Sequence, residues 1–357
     1  MIKICFIGPT LNTKTGWGRY CSEFIHEIKK DKEFNAFSIV EEGELGDAPI
    51  LPKNKKNPIK LIRVLWKLKK IAKNYDIIHA LDGWPFGFYG ALLGKPLIIT
   101  LVGTFAVAPL YRMRSYWFLK YAYKKANVLA AVSGYTAREV YKRINNLQRK
   151  IFVIKLGLDL NRFVQQPASY KKGDYILSVG TIEQRKGYHI SIRAFAEVSK
   201  HYPNMKYIIV GRKDGKYFQQ ISGLIENMGL RDKISILKEI GDDQLLDLYK
   251  NAKLFLLHPK NFNHDFEGFG LVFLEAAASG LPIVATLGNG SEDSVANGFN
   301  GLLVEQGNMK QTAEAVLKIL NDSSLYSKMV ANSINWAKNN SWSRTASEYK
   351  KIYENLA

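Results

Sequence analysis

The chain has 357 residues, 46% of them hydrophobic, and carries 51 Lys+Arg against 32 Asp+Glu for a formal net charge of +19. That is enough apolar material for a large core, and the length favours two domains over one. No stretch approaches the roughly 18 uninterrupted apolar residues of a membrane span, since the best, 96–109, is broken by Gly103 and Thr104.

The first predicted element is an alternating strand, Ile2 to Ile7, and no basic stretch, apolar core and cleavage site mark a secretory leader. Cys5 in this strand and Cys21 in the next helix offer neither a disulfide framework nor metal spacing, and read as reduced core residues of a cytosolic protein. Gly16 and Gly18 follow the strand after an eight-residue gap and open a helix running to Lys30. A dinucleotide fingerprint would have its glycines directly after the strand; Glu41, after the second strand, is the one point in that motif's favour. Short β-branched runs at 37–40, 77–80, 97–102, 128–132 and 151–155 alternate with helical stretches, as in a buried parallel sheet. The polar segment Gln165 to Asp174, with Pro167, reads as a linker. Strand-like runs then restart at 175–180, 207–210, 234–237, 254–257, 282–286 and 301–304. Two doubly wound α/β domains follow, 1–165 and 166–341, with ligands expected at the carboxyl ends of the strands and a cleft between. The tail reads as helices at 311–321, 323–338 and 342–355, the last with Trp342, Ala346, Tyr349 and Tyr353 at helical spacing.

Charge is shared unequally. Residues 1–165 hold 28 Lys+Arg against 12 Asp+Glu, and the remainder 23 against 20, so nearly all the excess lies in the first domain. Within it, Ile59 to Lys73 sets apolar Ile59, Ile62, Leu65 and Trp66 against a basic remainder, the profile of a helix lying in a membrane interface. Tyr111 to Lys125 interleaves aromatics with cations, and Trp and Tyr favour the headgroup zone. The competing explanation for each is an amphipathic helix packed on its own sheet with a snorkelling basic face. Nucleic acid is the rival polyanion, but no helix-turn-helix, zinc-finger or RNA-binding aromatic signature is present. An anionic membrane surface, or a lipid-linked anionic acceptor, is the better expectation.

The clearest chemistry is in residues 265–281. Glu267 and Glu275 stand eight positions apart, at the mouth and inside a short apolar helix entered through Gly268 and Gly270 and stopped by Gly280 and Pro282. Eight residues of helix span about 12 Å, so the carboxylates suit two regions of one elongated ligand and not an acid/base pair on one bond. A glycine-rich helix start favours an anion such as a diphosphate. Glu275, flanked by Leu274 and Ala276 to Ala278, needs a partner if buried. Arg185 and Lys186 follow a strand and precede a helix, a position from which cations can neutralise a leaving pyrophosphate without a metal.

The segment Glu267-Gly-Phe-Gly-Leu-Val-Phe-Leu-Glu275 resembles the Glu-x7-Glu motif of the retaining family 4 glycosyltransferases, which have the GT-B fold. Met1 to Gly8 with Gly16-Trp-Gly18, Ile154 to Phe163, and Ser178 to Gly187 resemble that family's first strand and glycine loop, interdomain segment and phosphate-contacting loop. The resemblance implies two Rossmann-like domains, a nucleotide diphosphate sugar as donor, a hydroxyl of a glycan or lipid-linked precursor as acceptor, no metal or other cofactor, and a last helix crossing back to the first domain. It implies that Glu275 holds the ribose hydroxyls, Glu267 a hydroxyl of the donor sugar, and Lys186 and Arg185 the departing diphosphate. Gly16, Gly18, Gly180, Gly268, Phe269, Gly270 and Leu271 are then donor-binding positions.

Two positions depart from the pattern. Many relatives have a histidine where this chain has Val102, and an arginine where it has Thr181. These departures motivate one rival, a catalytically silent GT-B protein; another Rossmann-type nucleotide-sugar enzyme is the second. His79 and His258, at strand ends, read as structural, and Asp159 as shaping the Gly157 turn, with Asp82 a candidate on the acceptor side.

Overall fold

In a computed structural model the described residues are all except 14, 54–57, 164–171, 213–214 and 239, and no side chain is described at 58–61. Most of the expected linker, 165–171, therefore lies outside the described residues. Two units cluster separately, Met1–Gly157 with Trp342–Ala357, and Leu158–Ser341.

The first unit is a parallel sheet in the order β3-β2-β1-β4-β5-β6-β7, built from β1 (Ile2–Ile7), β2 (Phe34–Glu41), β3 (Ala48–Leu51), β4 (Ile77–Ala80), β5 (Leu97–Leu101), β6 (Val128–Ala131) and β7 (Ile151–Val153). Its helices are α1 (Gly16–Lys29), α2 (Pro58–Ala72), α3 (Phe88–Ala91), α4 (Gly103–Val107), α5 (Met113–Lys125) and α6 (Gly134–Arg143). Every residue of β4, β5 and β6 is buried, as continuous apolar strands covered on both faces must be. The sequence reading missed β3. It is an edge strand carrying Pro49, a residue tolerated there beside the irregularity at Val40/Glu41 and one that masks a strand signal.

The second unit is a parallel sheet in the order β10-β9-β8-β11-β12-β13, from β8 (Tyr175–Val179), β9 (Lys206–Val210), β10 (Ile234–Leu237), β11 (Leu254–Leu256), β12 (Ile283–Thr286) and β13 (Gly301–Val304). Around it lie α7 (Tyr188–His201), α8 (Gly215–Asn227), α9 (Asp242–Asn251), α10 (Leu271–Ala278), α11 (Ser291–Ser294), α12 (Met309–Asn321) and α13 (Ser323–Lys338). In each sheet the strand order reverses once, between β1 and β4 and between β8 and β11. At such a reversal the loops leaving adjacent strands diverge to opposite faces and open a crevice for ligands.

The terminal helix α14 (Trp342–Leu356) belongs to the first unit. Its buried stripe, Trp342, Ala346, Tyr349 and Tyr353, is the one its helical spacing predicts. Trp342 Nε1 donates to Glu23 at 2.6 Å and Lys350 pairs with Asp31 at 2.8 Å. Tyr353 OH lies 2.7 Å from His79 Nδ1, whose Nε2 is 2.8 Å from Thr100 Oγ1. His79 thus ties helix to sheet, and burial pushes its pKa down to about 3. His258 does similar work in the second unit, where Nε2 accepts the Gly307 N–H at 2.8 Å and Nδ1 faces Thr312 Oγ1 at 2.9 Å; burial, His189 and Lys260 lower its pKa to about 3.

Both histidines stay neutral in the fold while the unfolded chain protonates them below about pH 6.5. Their contribution to stability is therefore complete above that pH and is lost progressively as pH falls towards 3. Urea unfolding at pH 7.5 and at pH 5.5 should give a lower free energy at the acidic value; equal stabilities at the two pH values would contradict this.

Candidate active site

The loop leaving β8 turns through Gly180, forms a short 3-10 turn at Gln184–Lys186 and enters α7 through Gly187. Gly187 has φ +67°, and a Cβ there would stand 1.9 Å from the His258 carbonyl oxygen, so only glycine lets this loop lie against the one leaving β11. The Lys260 N–H donates to the Arg185 carbonyl at 2.7 Å and closes the same contact. The β11 loop then runs through Asp265 and Glu267 into α10, whose N-cap Gly270 has φ +86°.

These two loops bring the three predicted catalytic residues together. The Lys186 ammonium contacts Glu267 Oε2, and Arg185 Nη1 reaches the same oxygen at 3.3 Å. Arg185 Nε also pairs with Glu183 at 3.2 Å and Asp265 at 3.3 Å. Lys186 and Glu267 are buried. Burial opposes the charge on Glu267, but Lys186 and Arg185 outweigh it and hold the carboxyl below its usual range. Gly180 belongs to the same corner, since a Cβ on it would lie 3.5 Å from the Lys186 stem.

Glu275 is buried on α10 and accepts the Tyr249 hydroxyl at 2.8 Å. Phe269 is 2% exposed, and its carbonyl accepts Ser294 Oγ at 2.7 Å, so the ring belongs to the core; Gly268 and Leu271 are half-buried. The segment after β12 braces this helix mouth, with the Gly290 N–H donating to the Glu267 carbonyl at 2.8 Å. The sequence reading had not singled out Tyr249, Asp265, Gly290 or Ser294. For Glu275 its only clue was that a carboxylate flanked by alanines needs a partner; nothing in the spacing named Tyr249.

Gly16 and Gly18 lie in the first unit, at the start of α1. A Cβ on Gly18 would fall 2.0 Å from the Asn12 carbonyl oxygen, so the loop's own path requires that glycine, whereas nothing lies within 4 Å of one on Gly16. Trp17 between them stacks on Phe105 with centroids 4.2 Å apart, and Phe105, just beyond Val102, is 50% exposed. Asp82, at the end of β4, is fully buried. Asp159 accepts the Asn161 N–H at 3.1 Å and caps a short turn. Thr181 is exposed.

The family model for glycosyl transferases group 1 matches residues 160–336, and that for glycosyltransferase family 4 matches 30–162. An uncharacterized glycosyltransferase of Methanocaldococcus jannaschii is 29% identical over 347 residues, covering 92% of this chain and 91% of its own length. A D-inositol 3-phosphate glycosyltransferase of Corynebacterium urealyticum is 28% identical over 250 residues, which cover 65% of this chain and 57% of that protein. The crystal structure of Anabaena HepE in complex with UDP and glucose superposes with a TM-score of 0.81 at 18% identity, covering 100% of both chains. With the two family models meeting end to end and a full-length relative behind them, the chain belongs to the family 4, group 1 glycosyltransferases and has their GT-B fold.

Proposed function

We propose that this glycosyltransferase moves a hexose-type sugar from a nucleotide diphosphate donor to a hydroxyl of a glycan or lipid-linked acceptor, with retention at the anomeric carbon. The observation that carries the reading is the convergence of Lys186 and Arg185 on Glu267 at the strand-order reversal, one helix mouth away from Glu275. An arriving diphosphate competes with Glu267 for the two cations. Once they turn to the phosphates, the Glu267 carboxylate is available to a hydroxyl of the donor sugar, while Glu275 takes the ribose. The UDP and glucose of the HepE structure support a donor of this class. The inositol phosphate in the name of the corynebacterial relative supports a hydroxyl-rich, anionic acceptor.

The bond from the anomeric carbon to the phosphate oxygen breaks as the acceptor oxygen attacks the same face, and the acceptor proton passes to the leaving phosphate. No separate base is required. Lys186, Arg185 and the backbone N–H groups at the start of α10 stabilise the charge that the diphosphate gains. Two cations suffice for that without a metal.

The reading extends to a cytoplasmic protein held on the inner, anionic face of a membrane by its first unit. Helix α2 buries Val64, Leu68 and Ala72, which satisfies packing on its own sheet, yet leaves Ile62 and Trp66 68% and 66% exposed. Packing on the sheet therefore explains one stripe of the helix and not the other; Ile59 lies among the undescribed side chains, and Leu65 is half-buried. Helix α5 likewise exposes Met113, Trp117, Phe118 and Tyr121, with Lys120 Nζ 5.1 Å from the Trp117 ring. The connections β3-α2-β4 and β5-α5-β6 run in the same direction across the sheet, so right-handed crossovers put both helices on one face. Among the described residues no helix is long and apolar enough to cross a membrane.

Replacing Glu275 by Ala should weaken nucleoside diphosphate binding by about 10- to 100-fold in calorimetry. Lys186→Ala should depress kcat by about a hundredfold or more; full activity in both variants would place the site elsewhere. Turnover should be unchanged by EDTA, and a loss restored by a divalent cation would refute the metal-free reading. In liposome sedimentation, binding to anionic vesicles should fall with salt and with Lys67, Lys69 and Lys70 changed to Glu, each cation contributing roughly 1 kcal/mol. Equal pelleting with neutral vesicles would remove the electrostatic case.

A further inference from the structure

Glu275 lies inside α10 between Leu274 and Ala276, both fully buried. A carboxylate buried in such a place depends on a donor that stays in position. Tyr249 is built as one. Its hydroxyl donates to Glu275 Oε2 at 2.8 Å from a ring that is itself 0% exposed. That ring stacks on Phe255 of β11 at 5.9 Å and 23°, and Phe163 meets it edge-on at 6.2 Å. The start of α9, which carries Tyr249, is strapped by the 2.9 Å pair of Asp242 with Arg162. The buried phenol, held between its two ring contacts, thus fixes one point of the carboxylate, and the partly exposed Arg162–Asp242 pair adds a weaker restraint on α9.

We infer that Tyr249 is a positioning residue for the nucleotide: it sets the rotation of the Glu275 carboxylate so that the ribose hydroxyls meet it in a single orientation. The inference rests on the proposed ribose role of Glu275 and adds a residue that acts only through it. A hydroxyl bonded to a carboxylate stops free rotation about the last side-chain bond, and two vicinal hydroxyls read that rotation directly. A ribose contact made by a rotating carboxylate is weaker, because binding must then order it.

Tyr249→Phe removes the hydroxyl and keeps both ring contacts. With UDP, GDP and ADP as ligands, it should raise Kd for the best binder roughly tenfold, and leave kcat at saturating donor near the wild-type value. The decisive readout is sugar discrimination. Wild type should bind the 2′,3′-dideoxy form of that nucleotide about tenfold more weakly, whereas Y249F should discriminate little, and Y249F should have no further effect in a Glu275→Gln background. Undiminished ribose discrimination in Y249F, or an effect that persists with Glu275→Gln, overturns the positioning role while leaving the donor reading intact. Failure of the wild type to bind any of the three diphosphates would instead bring down the donor reading itself, and the inference with it.

Discussion

The contact of Lys186 and Arg185 with Glu267 is the constraint on which the second unit's ligand edge depends. Either charge buried alone would cost several kcal/mol, so neither the loop after β8 nor the loop after β11 can take its place without the other. The arrangement is also unbalanced. Two cations, buried Lys186 and Arg185 with its side chain 20% exposed, face one buried carboxylate, whereas Asp265 and Glu183, which pair with Arg185 from outside, are 46% and 51% exposed and are weakened by solvent. The interior therefore has a positive excess beside the N-terminus of α10, whose own N–H groups add to it. On the proposed reading, the two negative charges of a donor diphosphate would supply what that corner lacks, with Glu267 holding the cations in position beforehand.

Backbone chemistry makes this arrangement possible. Gly187 brings one loop within reach of the His258 carbonyl, and the Gly290 N–H ties a third loop to the Glu267 carbonyl, so loops leaving β8, β11 and β12 meet at one point. Behind them α10 is almost wholly apolar apart from Glu275, and the phenol of Tyr249 answers that one exception. The polar groups of the site are thus held from beneath by packed rings and from the side by backbone hydrogen bonds. Such support keeps a binding geometry fixed before the ligand comes.

Much of this was legible because it is local in the chain. Strand and helix order follows from apolar runs and glycine stops, and the helix mouth at Glu267 from Gly268, Gly270 and Gly280. The stripe of α14 follows from the spacing of Trp342 to Tyr353, and the structural character of His79 and His258 from their place inside apolar strand ends. What escaped is non-local. Lys186 and Glu267 lie 81 residues apart, and Tyr249 and Glu275 26 apart, with no periodicity linking either pair. The edge strand β3 escaped for a different reason, since Pro49 gives the signal of a turn. The two glycines of the first loop also differ: Gly18, the one that reads more readily as a turn glycine, is demanded by the Asn12 carbonyl, while Gly16 stands clear.

The same distinction between local pattern and spatial pairing explains why the two units use their cations differently. In the second unit Arg185 and Lys186 are folded inward against carboxylates. Among the described residues of the first unit, Lys29, Lys53, Lys142 and Lys350 pair with Asp or Glu, but no cation of α2 or α5 does. Those helices instead set Lys70 over Trp66 and Lys120 over Tyr116 and Trp117. A cation over an exposed aromatic ring is already partly out of water, so moving both against an anionic, half-apolar layer costs less than stripping a fully solvated ammonium. The cations of these two helices thus lie beside exposed Trp, Ile and Met side chains, which on the proposed membrane reading would follow them into an interface. Charge alone would make this surface sticky to any polyanion, and on the proposed membrane reading the accompanying apolar stripe is what would select lipid.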